Sequence, residues 1–455
     1  MKETDIQIVE VSSSTQRFDY RSPMKFGGRV VNDVVLLDVS VKVATKSGKT
    51  ATGFGSMTMG NIWAWPGGKT EPETALEVMI EFGKKVVAEA NNFKQFGHPL
   101  ELTYDYAKSY NKIAENILHN STPKLAEPIP KLAQLVAASP FEAAVFDAYG
   151  RLLNLNSYNV LSAEFCNRDL SYYLGDDFKG EFLDQYTLRD PKDNMPLYHL
   201  VGALDPLTSA DVKLPLNDGL PEHFADWINY NGLTHIKIKL NGDDLDWDVD
   251  RVVAIDKICE NVQAKRGCKE WFYSSDFNER CDNVEYVLNF LDKIKLKAPN
   301  AIQRLQYIEQ PTNRNLRAFP ENKMHKAAKI KPVVIDESLV DLEALHDSRK
   351  MGYSGVALKA CKGQAEALLI GAAAQKYNMF LCVQDLTCVG ASFLHSATLS
   401  ARFPAVAAIE GNGRQYCPAA NKKWESKYPS MFIIKNGRLG SGKLNEIGLG
   451  FSHVD

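Results

Sequence analysis

Thr234-His235-Ile236-Lys237-Ile238-Lys239-Leu240 is the stretch on which the reading of this chain turns. β-Branched and apolar residues run up to an Asn241-Gly242 turn, the pattern of a buried strand. Residues i and i+2 of a strand share a side, so Lys237 and Lys239 lie together while Ile236, Ile238 and Leu240 cover the other face. Two ammonium groups on one side of a buried strand are costly unless something uses the charge. Taken alone, the stretch would more often be an edge strand with a solvated lysine face. Its neighbours decide the matter.

Working outward, seven further short apolar runs of the same kind appear. With 235–240 they are 197–204, 270–276, 305–309, 332–336, 355–359, 379–384 and 406–410, separated by helical segments. Repeated β-then-α alternation predicts a parallel sheet, and eight units predict a closed barrel. An open doubly wound sheet would normally carry a Gly-rich phosphate turn after its first strand, and none is present. Before the barrel, strands are expected at 6–11, 30–45 and 50–55, the last two joined by a Ser47-Gly48 hairpin turn. A loop is expected at 20–28 and an irregular segment at 56–68. Helices dominate from 71 to 153, including 75–90 and a helix over 141–153 started by Ser139-Pro140 as N-cap and first helical residue. The fold class is therefore α/β: a barrel behind an N-terminal α+β domain. The expected division is 1–154 for that domain, 155–195 for an extended polar connection or insertion, 196–415 for the barrel and 416–455 for a C-terminal segment packing back on the first domain, with a small β tail at 433–451.

Composition narrows the function classes. The chain has 455 residues, 53 basic and 56 acidic, with a formal net charge of -3. That balance offers no electrostatic footprint for nucleic acid or an anionic membrane. No apolar run is long enough to span a bilayer, and Met1-Lys2-Glu3-Thr4-Asp5 begins no apolar signal segment. The eight cysteines contain no Cys-x-x-Cys pair and are expected as reduced thiols in a cytoplasmic protein.

In a β/α barrel the active site is assembled from the C-terminal ends of the strands. Those ends carry Lys237 and Lys239, then Asp276, Glu309, Asp336, Lys359, Asp385 and Glu410. Asp276, Glu309 and Asp336 fall one β/α unit apart, so three adjacent strands would bring three carboxylates together. They repel unless a cation sits among them, and an oxygen-only donor set favours Mg²⁺ over Zn²⁺. Lys359 lies four strands on from Lys239 and faces it across an eight-stranded barrel. A substrate carboxylate held between them would have one lysine at each face of its α-carbon. Lys237 is a like-charge neighbour that favours a neutral, basic amine beside it. Lys362, three residues past Lys359, reads as a solvated lysine at a helix start.

With these residues in view, the chain resembles the enolase superfamily, in its muconate-lactonizing-enzyme subgroup. The resemblance rests on Lys237-Ile238-Lys239, Asp276 with Asn278, Glu309-Gln310-Pro311, Asp336-Glu337-Ser338 and Lys359, in that order, and on FEAAVFDAYG at 141–150. It implies a modified TIM barrel, (β/α)7β, a capping domain, Mg²⁺ on Asp276, Glu309 and Asp336, and abstraction of the proton α to a carboxylate to give a metal-stabilised enediolate. It implies Lys239 and Lys359 as the acid/base pair and Lys237 as their electrostatic helper. The mandelate-racemase subgroup, which offers a His-Asp pair on strands seven and six, fits poorly: these strands end in Val383-Gln384-Asp385 and Lys359. Where dipeptide epimerases carry Asp-x-Asp on the eighth strand, this chain has Glu410-Gly411-Asn412.

Specificity in such a family comes from capping loops, here 24–28 and 57–66. Lys25 is expected to meet a distal anion and Trp63 or Trp65 an apolar or sugar face, with Asn278, Gln384, Asp385 and Glu410 as further substrate contacts. The expected activity is racemisation or epimerisation of a small carboxylate. A lyase, dehydrating or cycloisomerising from the same intermediate, is the first alternative, and a non-catalytic metal- and carboxylate-binding barrel the second. A homo-oligomer is expected.

Overall fold

The computed structural model describes residues 1–26, 29–121 and 124–454. The N-terminal sheet is β1 (Ile6–Phe26), β2 (Arg29–Thr45) and β3 (Thr50–Thr58), antiparallel in that order. The segment 20–28 is thus not a loop as its Pro and Gly content suggested. β1 continues to Phe26, and the pairing slips between Asp19 and Met24. That irregularity accommodates Pro23, whose missing N–H would interrupt a regular ladder. Gly27 and Gly28 lie outside the described residues. Within the expected irregular segment 56–68, β3 runs on to Thr58 and a short helix covers Asn61–Ala64.

A long buried helix, Lys131–Leu153, packs across β3. Two glycines on one face of β3 permit the approach: a Cβ at Gly53 would stand 2.2 Å from the Ala148 N, and one at Gly55 2.0 Å from the Pro140 O. The helix does not begin at Ser139-Pro140 but contains them. Proline inside a helix strands the carbonyl four residues back, here that of Val136. The Ser139 hydroxyl donates to this oxygen at 2.8 Å, so the break predicted from the sequence does not occur.

The barrel strands are β4 (Met195–Val201), β5 (His235–Lys239), β6 (Phe272–Asp276), β7 (Leu305–Glu309), β8 (Val333–Ile335), β9 (Gly355–Leu358), β10 (Phe380–Val383) and β11 (Ile409–Glu410). All neighbours are parallel, and β11 pairs with β4, which closes the cylinder. Tyr198, Tyr307, Val334, Ala357, Cys382 and Ala408 pack as one inward-facing layer. Below it a last strand, β12 (Arg438–Leu439), runs antiparallel to β4. It is the only named strand in the segment 433–451 expected to form a β tail. Near the chain end, the Leu449 N–H donates to Asp147 at 2.9 Å and Arg151 donates to the Phe451 carbonyl at 2.9 Å, so this stretch lies on the capping helix.

Residues 155–195 are less extended than their polarity suggested. They form short turns at Ser157–Asn159, Ser171–Leu174, Asp176–Phe178 and Leu183–Gln185, with Tyr158, Leu161 and Phe178 in the main core. Arg402, buried, donates to the carbonyls of Leu188 and Arg189 and to the Asn445 side chain, tying this stretch to the chain's end. All eight cysteines are free thiols. Among the described residues no helix is long and apolar enough to cross a membrane.

Candidate active site

Strand register sets the site. Lys239 lies beside Asp276 and Asp276 beside Glu309, so three strands deliver their last inward side chains at one level. Lys237 sits one layer deeper, beside Leu200. Asp336 follows β8, Lys359 follows β9, and Gln384 and Asp385 follow β10. Lys237, Lys239, Asp276, Glu309, Asp336, Lys359, Gln384, Asp385 and Glu410 are all buried.

The expected convergence of acids and lysines is present, but the lysines sit between the acids. Lys237 Nζ lies 3.0 Å from Asp276 Oδ2, 2.8 Å from Glu309 Oε2 and 2.8 Å from Glu410 Oε2. Lys239 donates to Asp276 and, at 3.0 Å, to Asn278 Oδ1. Lys359 stands 2.9 Å from Asp336 Oδ2. Gln384 donates to Glu309. Lys237 therefore reaches Lys239 as part of a carboxylate network rather than as the bare positive neighbour expected from the sequence.

Electrostatics separate the acids. Burial raises the Asp276 carboxyl, but Lys237 and Lys239 outweigh it and hold the group well below the usual carboxylate range. Asp336 is likewise raised by burial and brought below that range by Lys359 and Lys362. Glu309 goes well above it, because burial and the charge of Asp276 exceed the relief from Lys237. Asp385 is pushed up to about 7 by burial and then by Glu410. Burial pulls Lys237 and Lys359 down, yet the surrounding carboxylates win and raise both.

The capping domain contributes unequally. Trp63 is buried at the site: its ring centroid is 4.3 Å from Lys359 Nζ, and its indole N–H donates to Glu337 at 3.1 Å. Trp65 does not reach the site. It is turned away and donates to Glu127 at 2.9 Å. Lys25 borders a smaller cavity with Arg280, which adjoins the main cavity through their shared lining residues Lys239 and Asn278. That main cavity is lined by Lys237, Lys239, Lys359, Trp63, Asn278 and Glu410, together with residues of β1 and β2.

Several residues at the site were not read from the sequence. Lys362 is the clearest. It is buried, not solvated: the one-turn helix Ala360–Lys362 carries it back, so its ammonium binds the Asp336 carbonyl at 2.6 Å and Oδ1 at 3.1 Å. Gln310, at φ 28°, accepts the N–H of Asp336 at 2.9 Å and of Ser338 at 3.2 Å, and so sets the loop that carries Asp336. Glu337 accepts from both Trp63 and Asn278. The Gly363 that follows Lys362 was the one available hint of a tight turn there.

No three acidic, histidine or cysteine side chains among the described residues stand in the geometry of a metal site. The chemistry of the donor set nonetheless suits a hard cation. Six buried carboxyl groups (Asp276, Glu309, Asp336, Glu337, Asp385, Glu410) face four buried ammonium groups (Lys237, Lys239, Lys359, Lys362). The carboxyl groups outnumber the ammonium groups, and Glu309 and Asp385, held up by burial and by neighbouring carboxylates, would ionise fully once a further cation lay against them. Glu337 Oε2 and Gln384 Oε1 are buried acceptors with no hydrogen-bond partner.

No protein-family model and no curated protein matches the chain. Solved structures match over nearly its whole length. A muconate lactonizing enzyme from Pseudomonas fluorescens, complexed with muconolactone, is 17% identical with a TM-score of 0.59, covering 99% of this chain and 97% of its own. A dipeptide epimerase from Enterococcus faecalis, complexed with Mg and a dipeptide, is 15% identical with a TM-score of 0.63, covering 98% and 100%. An N-succinyl Arg/Lys racemase from Bacillus cereus is 15% identical with a TM-score of 0.62, covering 99% and 96%. The chain shares its fold with these structures: a modified TIM barrel with a capping domain.

Proposed function

We propose that this protein is an enzyme of the enolase superfamily that removes and returns the proton α to a carboxylate, acting as a racemase or epimerase. The observation that carries the reading is the shared cavity of Lys239, from β5, and Lys359, from beyond β9, four strands apart around the barrel. A carboxylic acid held between them has an amine at each face of its α-carbon. In one direction Lys239 Nζ takes the proton from the α-carbon and Lys359 Nζ returns one to the opposite face; in the other direction the roles exchange. Lys237 holds Asp276, Glu309 and Glu410 in place and supplies positive charge below the reacting centre. Asp276, Glu309 and Asp336 would hold Mg²⁺, which supplies Lewis-acid stabilisation of the charge that builds on the substrate carboxylate. Binding it there requires Lys237, Lys239, Lys359 and Lys362 to yield contacts they now make with these carboxylates.

A second reading has one observation behind it. Lys359 is held as an ammonium by Asp336 and covered by the Trp63 ring, which suits a fixed charge stabiliser. Lys239 alone as base would give a lyase or cycloisomerase.

Exchange of the α-proton in D₂O, followed by NMR with Mg²⁺ present, tests both. For the racemase, Lys239→Ala is expected to slow exchange of one enantiomer by about 10²–10⁴-fold and Lys359→Ala that of the other. Loss of all exchange in Lys239→Ala but not in Lys359→Ala would favour the lyase. Wild-type protein that binds Mg²⁺ by calorimetry but exchanges no α-proton would favour the non-catalytic metal-binding barrel, and one that does not bind Mg²⁺ would sink the mechanism.

A further inference from the structure

A separate cavity of about 140 Å³ opens where the helix Phe224–Asn231 meets the chain that follows β11. It shares no lining residue with the cavity over the lysines. Much of its wall is apolar. Trp227 and Phe432 are buried there, while Tyr230 and Ile433, at 57% and 48% exposure, leave apolar surface open beside it. The volume suits a benzene-sized group. Trp227 also lines a larger neighbouring cavity, so bulk does not limit what enters.

Two ionic groups border the same space. Arg414, on the short helix Gly413–Tyr416, donates its Nε–H to the Phe432 carbonyl at 2.5 Å, which fixes the guanidinium. Its two Nη groups have no hydrogen-bond or ion-pair partner among the described residues. Burial pulls Arg414 down to about 10, against the pull of Tyr230 and Glu425, so it stays cationic at neutral pH. Glu425, on the helix Lys422–Lys427, is likewise without a partner among the described residues. The other polar lining groups, Asn231 and Asn421, are uncharged.

A guanidinium with both Nη groups open is a fork for a carboxylate, and an open carboxylate accepts an ammonium. A simple anion would satisfy Arg414 but meet repulsion from Glu425, and a simple cation the reverse. A ligand carrying both charges next to an apolar group satisfies all three features at once.

We propose that this cavity binds a free α-amino acid with an apolar side chain, its carboxylate on Arg414, its ammonium on Glu425 and its side chain against Trp227 and Phe432.

Calorimetry on the full-length protein without Mg²⁺ tests this with four ligands: leucine, serine, N-acetylleucine, which lacks the ammonium, and leucinamide, which lacks the carboxylate. Leucine is expected to bind at least about tenfold more tightly than each of the others. Glu425→Gln should weaken leucine about tenfold and leave N-acetylleucine no weaker, since that ligand loses only a repulsion. Arg414→Gln should weaken leucine and leave leucinamide no weaker. Glu425 makes no hydrogen bond or ion pair, so its variant decides the matter even should Arg414→Gln fail to fold. Absence of leucine binding would overturn the proposal and leave Arg414 and Glu425 serving only the surface. Equal binding of serine or of either blocked form would overturn the ligand class. Leucine binding indifferent to Glu425→Gln would put the amino acid elsewhere and overturn the site. None of these outcomes bears on α-proton exchange at the barrel mouth.

Discussion

Asp336 is where the site is most tightly held. Lys359 covers one oxygen, Lys362 the other and the backbone carbonyl as well, and Trp63 lies across both lysines, 4.3 Å and 5.5 Å from their Nζ atoms. Removing one partner of a buried ion pair leaves the other charge uncompensated. Lys362→Met is therefore expected to lower stability by about 3 kcal/mol in urea unfolding without metal. The deficit should shrink when Mg²⁺ is added, because a cation on Asp336 replaces the lost charge. A deficit indifferent to Mg²⁺ would show that Lys362 serves packing alone. This contact was not legible beforehand. Lys237, Lys239, Asp276, Glu309 and Lys359 could be found because each ends an apolar run at barrel spacing. Lys362 depends on the direction of one short helical turn, which no periodicity records, and by composition alone it looked like any solvated lysine.

Among the elements, the helix Lys131–Leu153 couples cap to barrel, and two of its side chains can be tested. Ser139→Ala leaves the Val136 carbonyl buried without a donor, an expected loss of about 1–2 kcal/mol. In a Pro140→Ala background the restored backbone N–H can serve that carbonyl, so the same substitution should cost much less; a double-mutant cycle by chemical denaturation reads the difference. Glu142, buried on the same helix, accepts the Ala365 N–H at 3.1 Å at the start of the helix Gln364–Lys376. Burial pushes its carboxyl up to about 7 from an ordinary 4.5. A raised carboxyl favours the protonated form in the folded state. Its contribution is therefore complete below the unfolded value and is lost as pH rises through 7. Glu142→Gln, neutral at every pH, should match the wild type near pH 4.5 and exceed it by about 3 kcal/mol at pH 8. Equal pH profiles for the two proteins would contradict this. The serine-proline pair shows why helix boundaries were misread. A start signal and an interior kink repaired by a neighbouring hydroxyl have the same two letters, and only the preceding eight residues' burial separates them.

For the whole molecule, the surplus of carboxyl over ammonium groups at the barrel mouth makes a general statement about stability. A cation that binds the folded chain and not the unfolded one stabilises by mass action, about 2.7 kcal/mol at one hundred times its Kd. Thermal melts are expected to rise with Mg²⁺ concentration in the wild type and to stay flat in Asp276→Asn. Barrel architecture was readable at this scale because its strands are almost wholly buried and most read as short apolar runs between helices. The capping sheet was less so: β1 and β2 are long and half exposed, and their pairing past Asp19 survives a proline that a local reading takes for a loop. β4 has a consequence of another kind. Its partners besides β5 are β11 and β12, supplied by Ile409–Glu410 and Arg438–Leu439. A chain emerging from the ribosome can lay down β4 through β10 in order, but it carries two raw sheet edges until Ile409–Glu410 and Arg438–Leu439 are synthesised. Truncation anywhere before residue 409 should thus yield not a smaller barrel but an open, chaperone-dependent sheet, while the finished protein hides that seam.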